Sequence, residues 1–338
     1  MAISLPFPDD QPPGFELLDG EPVFNPDEHL QLEQPDEVTM LTDLGYIEEE
    51  ISGTATPVAC SSPFRVLSDD GAEIMLETAR RLRAFATPAG DRIENVVRGG
   101  CYRSKWLRDL ALSPEVARHM SSIYGIEVAP HAMPLHLAHL NFEPSTIENS
   151  IDKWHHDTLP LDYVMSVTDP AEVAGGRFEY FTGTKTEMAT LAETGETPPV
   201  ERRVAPEFAG PGYAIALHGN MVVHRAGELF EMCERISMVN GYVAADTSLD
   251  GQSRSRDLLA VDPPEVLLAE WAKFAAWRSH GRLGTLMDSL DFTDDVESVI
   301  AALEHGIADV REAIEDMRQG EKPADHYERI QAIEDGHG

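Results

Sequence analysis

Apolar positions along this chain follow two rhythms, and the change between them divides it. Between Ala72 and Ala86, the residues Met75, Ala79, Leu82 and Ala86 fall at steps of four, three and four, with Ile74 and Phe85 beside them, which predicts a helix. Ser113 followed by Pro114 supplies a cap and a first-turn residue for a second helix reaching Tyr124. Beyond it the apolar runs shorten: Leu135 to Phe142, Asp162 to Thr168, Arg177 to Phe181, Tyr213 to Leu217, Met221 to Val223 and Ile236 to Val243. Glycine, proline and acid break these runs, so they predict short strands of a sandwich or barrel. A double-sheet jelly roll is the favoured form, because its concave mouth can hold a metal. The stretch from Thr182 to Gly210 is long for a connection, and within it Thr186 to Leu191 suits a short helix.

After about Asp250 the helical rhythm returns, with one helix over Pro264 to Ser279 and a longer one over Thr293 to Gln319, closed by Gly320. In the longer one, Val296, Ile300, Leu303, Ile307, Val310, Ile314 and Met317 alternate steps of four and three. That seam serves a coiled coil between two subunits, hence a homodimer, and it equally serves a helix laid on its own domain. The first residues, to about Glu37, are rich in proline and acid and predict an extended arm along the surface. The expected architecture is α+β: a double-stranded β-helix (jelly roll) core with an N-terminal arm and helices in residues 1–250, then a helical extension over residues 251–338 that oligomerises or caps.

Charge narrows the partners. Among 338 residues, 60 acidic side chains face 26 basic ones, a formal charge of −34. Such a field repels polyanions, so neither nucleic acid nor an anionic membrane surface is an expected partner. Cys60, Cys101 and Cys233 are odd in number and far apart, which fits small buried residues in a reducing compartment better than a disulfide framework. The first residues carry no long apolar core of a signal peptide, and no apolar run approaches a membrane span. A cytoplasmic location is the expectation.

Candidate chemistry concentrates at Trp154-His155-His156-Asp157. On an extended strand His155 and Asp157, two apart, point to one face. His224 closes a later apolar stretch, Arg235 follows it by eleven positions, and Ser237 comes two further on. Two imidazoles and a carboxylate on one face of an octahedral ion make the facial triad of non-haem Fe(II) oxygenases, which leaves three positions open. Rival ligands are His156, which a strand turns away from Asp157, and His218, which precedes Arg235 by 17 positions rather than eleven. His131, His136 and His139 form a histidine-rich approach, and His139 shares a face with Asn141. Asn141, His139, Arg177 and His218 are the candidate substrate-binding residues. Arg103, Lys105 and Arg108 around Trp106 make a local basic island in an acidic chain.

Taken together, these residues resemble the Fe(II)- and 2-oxoglutarate-dependent dioxygenases. That family's signature is His-x-Asp, a variable stretch, His, about ten residues, then Arg or Lys. The Arg-x-Ser form matched by Arg235 and Ser237 is common in its small-molecule branch. Trp154 and the helical N-terminal portion look most similar to the phytanoyl-CoA-hydroxylase-like members. The resemblance covers about Pro134 to Val243, a third of the chain, and has no counterpart for the C-terminal helices. It implies that His155, Asp157 and His224 ligate Fe(II). It further implies that Arg235, helped by Ser237, clamps the far carboxylate of 2-oxoglutarate. The implied reaction takes 2-oxoglutarate and O2 to succinate and CO2 while oxidising an unactivated C–H bond of a small molecule, an amino-acid-like compound being one candidate. Hydroxylation, desaturation and cyclisation stay open. Halogenating relatives lack the carboxylate that Asp157 supplies. Two alternatives remain: an iron-dependent oxidase that does not use 2-oxoglutarate, and a non-catalytic jelly-roll scaffold.

Overall fold

The computed structural model describes residues 5–90, 92–147, 150–249 and 253–321. Strands β1 (Val38–Met40), β2 (Val58–Ser61), β3 (Phe64–Arg65), β4 (Thr87–Ala89), β5 (Ile93–Val97), β6 (Val128–Pro130) and β7 (His139–Phe142) precede β8 (Ser150–His155) and β9 (Leu161–Ser166). Then follow β10 (Phe178–Phe181), β11 (Arg203–Val204), β12 (Tyr213–Leu217), β13 (His224–Glu228) and β14 (Ile236–Ala244). The helices are α1 (Pro26–His29), α2 (Glu48–Ile51), α3 (Asp69–Leu82), α4 (Lys105–Ala111), α5 (Pro114–Tyr124), α6 (Lys185–Thr194), α7 (Pro264–Ser289), α8 (Val296–Gly306) and α9 (Ala308–Gln319).

The strands form two antiparallel sheets. The larger runs β1-β2-β12-β9-β14-β7-β5-β4, with β3 beside β12 and β6 beside β14, and the smaller runs β11-β10-β13-β8. They face each other: Val164, Ile215, Leu217 and Val239 of the large sheet share a core with Phe178 and Tyr180 of the small one. Helices α3, α4 and α5 cover the other face of the large sheet through Met75, Ala79, Leu82, Trp106, Val116 and Met120. Helix α6 covers the outer face of the small sheet, where Met188 meets Trp154 and Phe181. The space between the sheets is therefore reached from their ends.

Local chemistry explains where several elements begin. The Ser113 hydroxyl accepts from Val116 N–H and Pro114 occupies the first turn of α5, as the sequence predicts. The Ser68 hydroxyl caps α3 by accepting from Gly71 N–H. Residues 5–37 run as a surface arm with one short helix, pressing Phe7, Phe15, Phe24 and Leu30 onto the body.

Four expectations need correction. The 135–142 strand begins only at His139, after a turn over Pro134–His136 where proline fixes the backbone. Residues 221–223 are a turn, and the strand starts at His224. The long connection after Thr182 is more ordered than predicted, holding α6 and β11. The single C-terminal helix is two helices, broken at Ile307 (φ −111°, ψ 12°). Gly306 packs so tightly on α7 that an added Cβ would lie 2.7 Å from Leu283 Cδ2. The break also splits the apolar seam. Val310 and Met317 join a core with Trp271 and Phe274 of α7 and with Tyr102 and Met133 of the body, while Val296, Ile300 and Leu303 stay exposed. No described helix is long and apolar enough to cross a membrane.

Candidate metal centre

Adjacent strands of the small sheet bring two imidazoles together. His224 on β13 stands opposite His155 on β8, with ring centroids 4.2 Å apart. Each ring is tethered by the same device: Nδ1 of His155 lies 2.6 Å from the Lys153 carbonyl and Nδ1 of His224 lies 3.0 Å from the Val222 carbonyl. A carbonyl can only accept, so each Nδ1 carries the proton and each Nε2 turns a lone pair inward. Asp157 does not share a strand with His155, because β8 ends at His155. Its N–H donates instead to the Gly219 carbonyl at 2.7 Å, in the turn before β13. That turn puts Oδ1 3.3 Å from His155 Nε2 and Oδ2 3.6 Å from His224 Nε2. One ligand atom from each of the three residues lies within 4.8 Å of the others.

Burial holds both imidazoles below their ordinary range and therefore neutral. Two inward ring nitrogens and a carboxylate oxygen thus converge on one point. An N2O donor set of this kind suits a divalent first-row metal. The residues fit such an ion.

Two carboxyls absent from the sequence reading flank the cluster. Asp152 Oδ2 is 3.5 Å from His155 Nε2 and its other oxygen lies 3.1 Å from Arg92 Nε; burial lifts its carboxyl to about 7. Asp162 is fully buried, and burial reinforced by Asp157 pushes it well above the carboxylate range, so it stands neutral. Gly219 lets the two close in: an added Cβ there would lie 2.9 Å from Asp157 Cβ and would also strike Asp162 Oδ2. An acid inside the apolar run Leu161–Ser166 was the sequence signal for Asp162.

Next to the cluster, across the Phe178 ring that lies 5.4 Å from that of His224, a cavity of about 470 Å³ opens between the sheets. Arg235, Ser237, Arg177, Ser166 and Phe208 line it. Arg235 is 8% exposed, and burial draws its guanidinium down to about 10. Its Nη1 donates to Ser237 Oγ at 2.7 Å, and among the described residues no carboxylate forms an ion pair with it. His139 and Asn141 face the same way, since Asn141 pairs with Ser237 and His139 with Val239. Among the described residues, His139 Nδ1 and Asn141 Oδ1 have no hydrogen-bond partner. Burial holds His139 neutral, near 3. His218 is not one of the three residues whose ligand atoms converge, and its Nδ1 lies 2.9 Å from the Val58 carbonyl.

No family model and no curated protein matches this chain. Several solved structures do. One is the non-heme alpha-ketoglutarate-dependent epimerase SnoN from nogalamycin biosynthesis, at 19% identity and TM-score 0.40, covering 60% of this chain and 83% of that one. Another is EctD from S. alaskensis with bound Fe, at 16% identity and TM-score 0.42, covering 73% and 89%. A third is the nickel complex of the non-heme monooxygenase ThoJ, at 14% identity and TM-score 0.40, covering 80% and 98%. At such identities and scores, the site has to be read from its own geometry.

Proposed function

We propose that this chain is a non-haem Fe(II)- and 2-oxoglutarate-dependent oxygenase acting on a small molecule, with residues 1–250 as a double-stranded β-helix (jelly roll) catalytic unit. The observation that carries the reading is a pairing: a His155–Asp157–His224 cluster with a metal-ligating donor set, beside a buried Arg235 whose guanidinium forms no ion pair with a carboxylate among the described residues. Facing antiparallel sheets, with His155 and His224 on the small one and Arg235 immediately before β14 of the large one, support the fold assignment.

Each residue has a definite task. His155, Asp157 and His224 would hold the iron, which when bound supplies dioxygen activation coupled to oxidative decarboxylation of 2-oxoglutarate. Arg235 presents a planar pair of donors to the far carboxylate, and Ser237 fixes the guanidinium plane. Phe178 walls the chamber next to His224 and keeps bulk water off it. His139 and Asn141 offer neutral hydrogen-bonding atoms on the large-sheet side, which suits a polar, uncharged part of a substrate. Arg177 at the cavity wall can meet a substrate carboxylate, as an amino-acid-like compound would offer. His218, tied to Val58, supports the turn rather than the chamber. Hydroxylation, desaturation and cyclisation of the substrate all begin from the same C–H cleavage. The C-terminal segment 251–338 is proposed as a cap, and the exposed apolar residues of α8 support a homodimer through it. A cytoplasmic location accords with the acidic, disulfide-free chain.

Anaerobic titration with ferrous salt, followed by succinate assay in air with 2-oxoglutarate, tests the reading. One equivalent of iron and iron-dependent succinate formation are expected. Iron uptake without succinate would favour an oxidase that does not use 2-oxoglutarate, and no saturable uptake would overturn the metal centre.

A further inference from the structure

We infer that Arg254 is a positioning residue of this metal centre, and that the C-terminal segment acts as a strap that sets where Asp157 stands. The inference rests on the metal reading above. The three ligands are not held alike. His155 and His224 sit within the β8–β13 ladder, whereas Asp157 lies past the end of β8. Its peptide depends on contacts from elsewhere in the chain, and beyond the Gly219 bond the strap supplies them.

Arg254 Nη2 donates to the Asp157 carbonyl at 3.1 Å and to the His156 carbonyl at 3.3 Å. Its own backbone N–H donates to the Thr158 carbonyl at 3.0 Å. Three consecutive carbonyls of the His-x-Asp turn are therefore bonded to one arginine. The strap is anchored in turn. Arg254 Nε faces Asp257 at 3.3 Å, and Asp262 just before α7 takes two bonds from Arg98 of the body, at 2.6 and 2.8 Å. On α7, Glu270 accepts from the Tyr102 hydroxyl at 2.7 Å. Charge-assisted bonds to buried partners hold geometry better than exposed ones, and the Arg98–Asp262 pair is nearly covered. Removing the Arg254 guanidinium frees two carbonyls beside one ligand and leaves the two imidazole tethers untouched. The expected defect is a displaced Asp157 in an otherwise intact site.

Cobalt(II) is the probe, read both as a dissociation constant and as the visible ligand-field spectrum. Arg254→Ala and Arg254→Met should weaken cobalt binding by about 10–100-fold and shift the spectrum, as loss of an outer hydrogen bond to a ligand does. Arg254→Lys should restore part of both. Arg256→Ala is the control: Arg256 binds the Gly320 carbonyl and Gln319 at the end of α9, not the turn, so its spectrum should match wild type even if it melts earlier. If Arg254→Ala does not fold, Arg254→Met, which keeps the apolar stem, decides. Wild-type affinity and spectrum in Arg254→Met would overturn the strap while leaving the metal centre standing. Wild-type protein that binds no cobalt would overturn the metal centre itself.

Discussion

Replacing Arg235 with methionine should make the ligand-free protein more stable and its hold on 2-oxoglutarate much weaker. The two effects have one origin. Arg235 is 8% exposed, and burial draws its guanidinium down from its ordinary value to about 10. At neutral pH the group is charged in folded and unfolded chains alike, so the whole cost of that shift, about 3 kcal/mol, bears on the folded state. Methionine removes the cost and gives up the bond from the charged guanidinium to Ser237, worth about 2 kcal/mol, for a net gain of about 1 kcal/mol. On the binding side, a charge-assisted pair worth about 2–3 kcal/mol is lost, which weakens 2-oxoglutarate by about 30- to 140-fold. Urea unfolding without ligand and calorimetric titration of 2-oxoglutarate into cobalt-loaded protein measure the two quantities. A variant less stable than wild type, with unchanged affinity for 2-oxoglutarate, would refute the reasoning.

Asp157→Ala should abolish succinate formation and weaken cobalt binding by more than about 100-fold, beyond what outer hydrogen bonds contribute, with the circular dichroism spectrum unchanged; retained binding would remove the carboxylate from the ligand set. Glu270 is buried and lifted from 4.5 to about 7, so it favours the folded state below pH 4.5 and this contribution, about 3 kcal/mol, is lost as pH rises through 7. Glu270→Gln should therefore flatten the fall in unfolding free energy between pH 5 and pH 8, and an unaltered slope would place the titration elsewhere. Gly219→Ala should separate Asp157 from Asp162 and lower cobalt affinity, because the new methyl meets both side chains. Ile300→Asp on α8 should lower the solution mass if that face joins two copies, and sedimentation would show no change if it does not.

What the sequence revealed follows the range over which each determinant acts. Ser113 and Pro114 specify the start of α5 within a few residues, and Tyr213–Leu217 is the same strand in pattern and in structure. Strands β1 to β5 went unread because they are two to five residues long in polar or proline-bearing surroundings, such as Thr87-Pro88-Ala89. Only partners distant in sequence, such as Leu217 for Cys60, make them strands. The break at Ile307 was hidden because apolar steps of four and three continue across it, whereas Gly306 against Leu283 was its visible trace. His155 and His224 were legible because strand pairing brings the imidazoles opposite each other, whereas Asp157 joins them through the turn held by the Gly219 carbonyl and not along the extended strand that its spacing suggested. Asp152, Arg92 and Arg254 were not legible, because burial and neighbours give them their character, and neither is written locally.

The uncovered ridge of α8 has a consequence for how the protein behaves in different buffers. Val296, Ile300 and Leu303 are 66%, 43% and 50% exposed on a chain of formal charge −34. Two such molecules repel over a distance set by the salt, about 30 Å at 0.01 M and about 10 Å at 0.1 M. Contact through an oily ridge becomes reachable only once that repulsion is screened. Self-association should therefore strengthen as ionic strength rises, the reverse of assemblies that ion pairs hold together.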